Sequence, residues 1–256
     1  MSNNIEIKND FKSYFYTFLN SNKKLKLFFM EIFFHGTIYA VGGFFRDFLN
    51  YKKSRDLDLI VDVENTILID IIKNCEINYT INRHKGIKLK IDDIEIDLWS
   101  IYDNWAFKNN LVKLNENDKL LSIAKGCFYN YDSLVINLNN YNYNLQFYSD
   151  FINSNTLNVL QKKAIYKTLN PTIEANIIRA FYLKNKFEIK FSDNTVNYII
   201  KSLKLIESWH KDDFERLSNI KEKYPKYAEL TKIQLYYELE KFKSEINSKS
   251  IQLSLF

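Results

Sequence analysis

The chain has 256 residues, 46% of them hydrophobic, which is enough to bury one large domain or two small ones and excludes an intrinsically disordered protein. It contains no run of about 18 apolar residues, and its first residues lack a signal-peptide pattern, so we expect a cytoplasmic protein without a membrane-spanning helix. Two cysteines are too few for a disulfide framework or a zinc site, and a net charge of +5 does not by itself indicate a nucleic-acid partner.

Apolar periodicity in the first hundred residues predicts helices mixed with strands. Aromatic and aliphatic residues recur at helical spacing from Asp10 to Phe34, and the break at residues 20–22 predicts two helices there. Strand-forming runs follow, with a turn expected at Asp92-Asp93. The predicted strands are 37–41, 56–61, 80–84, 87–91 and 94–100, and the predicted helices between them are 42–50 and 66–74.

A glycine pair separates the first strand from the short helix. Gly42 and Gly43 lack a Cβ atom, so backbone N–H groups at this turn could approach phosphate oxygens. Arg46 follows in the helix and could meet a triphosphate or pair with Asp47. The pattern is typical of a turn that binds phosphate.

Two aspartates occupy alternate positions of the second strand. Side chains two residues apart project from the same face, so Asp56 and Asp58 should point together while Leu57 and Leu59 face a core. Adjacent carboxylates repel, and a divalent cation is a natural compensation. Since Mg²⁺ commonly keeps substrate phosphates among its ligands, the pair indicates a nucleoside triphosphate site.

A third carboxylate is expected from the strand 94–100. Its polar face carries Glu95 and Asp97. We choose Asp97 as the catalytic carboxylate, which could bind a second metal ion and help to deprotonate an attacking 3′-hydroxyl. Glu95 is the alternative.

Four short motifs occur in a fixed order along the chain: Gly42-Gly43, Arg46-Asp47, Asp56-Leu-Asp58 and Glu95-Ile-Asp97. A lone Asp-x-Asp is common, but this ordered set resembles the head domain of the CCA-adding enzyme and bacterial poly(A) polymerase family, within the polymerase-β-like nucleotidyltransferase superfamily. The resemblance implies an α+β fold with a small mixed sheet in the head, followed by a helical neck. It also implies two Mg²⁺ ions held by the three aspartates, with the glycines and Arg46 near the triphosphate.

The resemblance is weaker beyond residue 98. Lys125 and Asp132 correspond to parts of a family motif whose arginines are missing here. Arg179 matches an arginine of the family's neck helix. CCA-adding enzymes select CTP and ATP with a Glu-Asp-x-x-Arg motif, whereas this chain has Thr172, Ile173 and Asn176 in that register. Ile173 cannot hydrogen-bond a base, so the template for ordered C, C, A addition is predicted to be lost. Lys125, Asp132, Asn176 and Arg179 stay as candidate nucleotide-binding residues.

The last five residues carry a further signal. Gln252-Leu-Ser-Leu-Phe256 resembles the bacterial sliding-clamp-binding peptide, in which a Gln and a Leu-Phe pair enter apolar pockets. Gln252, Leu253, Leu255 and Phe256 are the candidate docking residues. The alternative is an apolar tail that folds back onto the neck helices.

The sequence thus predicts a nucleotidyltransferase head (1–137), a mainly helical neck (138–246) with helices at 177–189, 192–207 and 230–246, and a flexible tail (247–256). The expected reaction is metal-dependent transfer of a nucleoside monophosphate, with ATP preferred, to a nucleic-acid 3′ end and release of pyrophosphate. The family resemblance implies tRNA-like RNA as the acceptor, and DNA is the other nucleic acid that we consider. Two alternatives stay open: nucleotidylation of a protein or small-molecule hydroxyl, and a non-catalytic nucleotide-binding module recruited to the sliding clamp.

Overall fold

A computed structural model describes residues 2–54, 56–82, 84–161 and 172–253. The chain divides into two compact units, Met1–Ser154 and Asn155–Phe256. Among the described residues, no helix is both long and apolar enough to cross a membrane.

The first unit alternates helices and strands. Its elements are α1 (Ser2–Asn20), α2 (Lys23–His35), β1 (Ile38–Val41), α3 (Gly43–Leu49), β2 (Asp56–Val61), α4 (Asn65–Asn74), β3 (Tyr79–Ile81), β4 (Ile87–Ile91), β5 (Ile94–Ser100), α5 (Trp105–Lys108), α6 (Lys119–Gly126), β6 (Val135–Asn137), β7 (Tyr143–Asn144) and α7 (Gln146–Ser154). The predicted elements up to residue 100 are confirmed, most with small shifts of their ends.

Seven strands form one mixed sheet in the order β3-β4-β5-β2-β1-β6-β7. The β2–β5 pair is parallel, and the other neighbours are antiparallel. The predicted domain boundary after residue 137 falls between β6 and β7. These strands pair through Val135 and Asn144, so the first unit extends past the predicted boundary and ends at Ser154.

One face of the sheet lies in the main hydrophobic core with α1 to α4. Leu57, Leu59 and Val61 of β2 project into this core and are at most 2% exposed. An aromatic cluster joins α1 to α3, where the ring of Phe11 meets that of Phe45 edge-on at 5.3 Å between centroids. Large buried rings contribute strongly to burial energy, so this contact fixes α3 directly behind β1.

Local side-chain hydrogen bonds set two of the element ends. The break between α1 and α2 is capped by Asn22, whose side chain accepts from the N–H of Leu25. β3 ends at Ile81 rather than at residue 84 because the Asn82 side chain accepts from the N–H groups of His84 and Gly86 and turns the chain. The expected turn at Asp92 is confirmed by its φ of 52°.

The second unit is mainly helical, as predicted. Its elements are β8 (Thr156–Leu157), α8 (Ile173–Phe187), β9 (Lys190–Phe191), α9 (Asp193–Trp209), α10 (Asp213–Lys221) and α11 (Lys232–Leu253). The rings of Phe181, Phe191 and Phe242 pack together in its core. The last helix continues to Leu253, whereas the sequence predicted an end at residue 246 and a flexible tail beyond it.

Gly36, between α2 and β1, gives a test of the packing. A Cβ atom here would lie 2.6 Å from the backbone oxygen of Asp62, which cannot move without disturbing the end of β2. We expect Gly36→Ala to lower the free energy of unfolding by about 1–3 kcal/mol. Urea unfolding followed by tryptophan fluorescence measures the change.

Gly43→Ala is the matched control, because its Cβ would meet no described atom closer than Arg46 Nη2 at 3.9 Å. A loss of stability in the control as large as that in Gly36→Ala would contradict the packing account.

Candidate functional site

The two aspartates of β2 lie on the open face of the sheet. Asp56 and Asp58 are exposed, whereas Leu57 and Leu59 between and beyond them are buried. The predicted alternation is therefore confirmed. Both carboxylates project from one side of the strand at its beginning.

β5 brings two more carboxylates beside this pair. The parallel register sets Asp56 opposite Glu95 and Asp58 opposite Asp97. Neighbouring strands are about 4.8 Å apart, so cross-strand partners project side by side from the same face. The sheet thereby assembles a block of four carboxylates from two strands, and includes both the chosen Asp97 and the alternative Glu95.

Two lysines of β4 lie beside these carboxylates on the same face of the sheet. The antiparallel β4–β5 register sets Lys88 opposite Asp97 and Lys90 opposite Glu95. Lys88 Nζ lies 3.3 Å from Asp97 Oδ1, with the two side chains 62% and 41% exposed. Sequence reasoning missed these lysines, although the two-residue turn at Asp92 fixes the hairpin register that aligns them.

The charges on this face do not balance. The described strands β2, β4 and β5 place four carboxylates and two ammonium groups on it, which leaves a formal charge of 2 − 4 = −2. Like charges at this spacing repel each other, so a cation that bound among the carboxylates would relieve the repulsion.

The glycine turn lies at the same end of the sheet. β1 runs antiparallel to β2 with Ala40 opposite Leu59, so the chain reaches Gly42 beside the beginning of β2. Gly42 has a φ of 66°, which favours glycine, and its N–H donates to the Leu134 carbonyl at 2.8 Å. Because this N–H is already used within the chain, Gly42 shapes the turn. A phosphate-binding role for Gly43 stays a prediction.

Arg46 reaches back from α3 to the segment before β6. Its guanidinium lies over the Tyr131 ring, 4.2 Å from the ring centroid, and its Nη1 lies 3.5 Å from Asp132 Oδ1. The Arg46 side chain is 17% exposed. The structure thus brings Arg46 and Asp132 together at the glycine turn, and Arg46 pairs with Asp132 rather than with Asp47.

Apolar residues close the other end of this face. Trp99 and Ile60 form the next cross-strand pair after Asp97 and Asp58, and they pack with Tyr39 in a second core cluster that includes residues of α6. Beyond them, burial and the Asp62 carboxylate raise the pKa of Tyr39. The four carboxylates are therefore bordered by apolar residues toward the ends of β2 and β5.

The four carboxylates of β2 and β5 are the donors available for the predicted magnesium ions. Hard carboxylate oxygens at neighbouring register positions suit Mg²⁺ in chemistry and in backbone placement. The side chains are not gathered around a common point, since no described group of three or more His, Cys, Asp or Glu residues could hold a metal ion. The residues therefore fit the ion in the chemistry of their donors, whereas Asp97 contacts Lys88 in this structure.

The second unit carries two of the candidate nucleotide-binding residues. Asn176 is 1% exposed, and it lies beside Tyr198, whose pKa burial raises to about 12. Arg179 donates to the Tyr227 hydroxyl at 3.4 Å. Both side chains have partners inside the unit, and a nucleotide-binding role for either stays a prediction.

The remaining candidates lie on α6 and at the end of the chain. Lys125 is exposed in the last turn of α6. Gln252 and Leu253 belong to the last turn of α11, while Leu255 and Phe256 lie outside the described residues. Docking to a sliding clamp therefore stays a prediction.

No protein-family model matches the chain, and no curated protein matches it. Solved structures do share its fold. A CCA-adding enzyme with CTP aligns with a TM-score of 0.59 and 16% identity over 87% of this chain and 52% of that one. A Thermotoga maritima CCA-adding enzyme complexed with tRNA aligns with a TM-score of 0.57 and 16% identity, over 86% of this chain and 51% of that one.

A third similar structure is a tRNA nucleotidyltransferase complexed with a primer tRNA and an incoming ATP analog. Its TM-score is 0.54 at 16% identity, over 82% of this chain and 58% of that one. The chain thus spans about half the length of the structures that it matches. The likeness confirms the predicted fold class, a mixed α and β head followed by a helical region, as in CCA-adding enzymes.

The contact between Arg46 and Tyr131 can be tested through stability. Arg46→Lys keeps the charge but loses the planar guanidinium on the ring, so we expect a loss of about 0.5–2 kcal/mol in urea unfolding. In a Tyr131→Leu background the same change should cost markedly less. Equal costs in the two backgrounds would mean that the ring contact contributes nothing.

Proposed function

We propose that this chain is a metal-dependent nucleotidyltransferase that transfers a nucleoside monophosphate from a nucleoside triphosphate to a hydroxyl acceptor and releases pyrophosphate. The observation that carries the proposal is the parallel register of β2 and β5, which aligns Asp58 with Asp97 on an open acidic face. The same fold in CCA-adding enzymes with bound CTP supports a nucleotide substrate.

The chain's carboxylates would hold two Mg²⁺ ions. Asp56 and Asp58 would be the shared ligands, and Asp97 would bind the ion on the acceptor side. When bound, such ions neutralise the triphosphate and lower the pKa of the attacking hydroxyl. Asp97 would accept the hydroxyl proton, the acceptor oxygen would bond to the α-phosphorus, and the bond from that phosphorus to the bridging oxygen of pyrophosphate would break.

Gly43 and Arg46 would position the triphosphate. Gly43 is the first residue of α3, and the Arg46 guanidinium lies near it, with Nη2 3.9 Å from where a Gly43 Cβ would stand. ATP is the expected donor. Asp132 would keep Arg46 oriented, and Lys125 is a further candidate for contact with phosphate.

A nucleic-acid 3′ end, with tRNA-like RNA first and DNA second, is the proposed acceptor. Similar structures hold tRNA or a primer tRNA, which supports RNA. Ile173 and Asn176 replace the base-selecting motif of CCA-adding enzymes, and Asn176 is buried, so we propose addition without the ordered C, C, A template.

The test is transfer from each of the four α-labelled nucleoside triphosphates to total small RNA with Mg²⁺. We expect label on RNA, and a loss of about 100-fold or more in Asp56→Asn/Asp58→Asn, because the charge that stabilises the transferring phosphate would no longer be held. Circular dichroism checks that the variant keeps its fold.

Asp92→Asn/Asp93→Asn is the matched control. It also removes two negative charges, but from the β4–β5 turn and not from the acidic face. This variant should transfer nucleotide at the normal rate. Undiminished transfer by the Asp56 and Asp58 variant would refute the site. Label on protein or on a small molecule would favour the first alternative, and nucleotide binding without transfer would favour the second.

A further inference from the structure

Helix α2 carries apolar residues on two of its sides. On the inner side, residues such as Leu25 and Phe28 are fully buried in the main core. On the outer side, Leu27, Met30 and Phe34 are 56%, 56% and 84% exposed, and we call these three residues the outer seam. A helix that is apolar all round is normally covered all round. Among the described residues, the outer seam lacks such cover, so it has the character of an interaction surface.

The spacing of the outer seam matches the packing of one helix along another. Its residues follow each other at intervals of three and then four positions, which is the repeat by which two helices interlock their side chains. The helix between Lys23 and His35 contains no glycine or proline that would interrupt this side. A second copy of α2 would bring the same repeat, because a two-fold axis sets identical surfaces against each other.

The charges beside the outer seam favour two copies that run in opposite directions. Lys23, Lys24 and Lys26 lie in the first turn of α2, and Glu31 lies toward its end. Parallel copies would bring the lysines of both chains together and would align the two helix dipoles, and both effects are unfavourable. Antiparallel copies instead place the lysine end of each helix beside the Glu31 end of the other.

An antiparallel register pairs opposite charges as well as apolar side chains. If Leu27 of each copy packs on Met30 of the other, Lys24 and Glu31, which flank the same edge of the seam, lie beside each other across the interface. Lys24 Nζ donates to the Glu76 carbonyl at 2.8 Å and has two further protons to donate. Glu31 is 49% exposed, and its Oε1 is 3.8 Å from His35 Nε2, longer than a strong charge-assisted bond.

From this spacing and charge pattern we propose that α2 is a self-association surface, through which two copies of the chain pair antiparallel along the outer seam. The contact is a single pair of 13-residue helices, which is smaller than a standard stable interface. The dimer is therefore weak, with a Kd of about 10–100 µM. The surface belongs to the first unit, and its role is independent of the proposed function.

The test is sedimentation velocity of the full chain between about 1 and 500 µM, a range that brackets the expected Kd. We expect Phe34→Asp to raise the Kd about tenfold or more, because two carboxylates would enter the apolar seam. The residue is 84% exposed, so the variant should keep its fold, which circular dichroism checks. Ile233→Asp is the matched control, since Ile233 is 68% exposed on α11, and its Kd should be unchanged.

A charge swap tests the antiparallel register. Lys24→Glu and Glu31→Lys should each raise the Kd about three- to tenfold, because each sets like charges against each other at two symmetric positions. The double variant Lys24→Glu/Glu31→Lys should restore the natural Kd. A double variant that associates more weakly than either single variant would overturn the antiparallel pairing.

Two further results would overturn the self-association surface itself. One is a chain that stays monomeric throughout the concentration range, and the other is a dimer that Ile233→Asp weakens and Phe34→Asp does not. Vesicles of phosphatidylcholine and phosphatidylserine provide a second probe of the seam. A monomeric chain that sediments with them, and loses this binding in Phe34→Asp, would assign the outer seam to a lipid surface instead.

Discussion

Repulsion among the four carboxylates of β2 and β5 is the constraint on which the candidate site depends. The strands cannot separate to relieve it, because their other faces supply buried residues such as Leu57, Ile96 and Leu98 to the main core. Burial of side chains of this size contributes about 1.5–3 kcal/mol each, more than exposed charges typically lose by repulsion. The core therefore holds the acids together despite their repulsion.

The surrounding structure supports this arrangement from two sides. The Phe11 cluster places α3 and its glycine turn behind the beginning of the acidic strands, and Arg46 ties that helix to Tyr131 and Asp132. On the far side, Lys119 is hydrogen-bonded to Asp62 and Glu116, which hold its pKa above the usual value against the opposing effect of burial. One end of the sheet is thus closed by its own ion pairs, and the other end carries the exposed carboxylates of the candidate site.

Much of this could be predicted because it depends on local sequence. Alternation places Asp56 and Asp58 on one face, and a two-residue turn sets the β4–β5 register. The parallel pairing of β2 with β5 could not be derived in this way, because it depends on the path of α4, β3 and β4 between them. The family resemblance predicted that Asp56, Asp58 and Asp97 act together in a mixed sheet, but it did not predict which strands pair. The two-residue strands β8 and β9 were missed for the same reason, since their partners are far apart in sequence.

The pairing of β2 with β5 also bears on the order in which the first unit forms. β4 and β5 meet through a local turn, whereas Asp58 and Asp97 are 97 − 58 = 39 positions apart. Closing that longer loop costs more conformational entropy, and this cost comes before the contacts between β2 and β5 can stabilise the chain. We therefore expect the β4–β5 hairpin to form early and to bring Lys88 to Asp97 before β2 docks. Asp97 would then already be paired with Lys88 when β2 packs against β5.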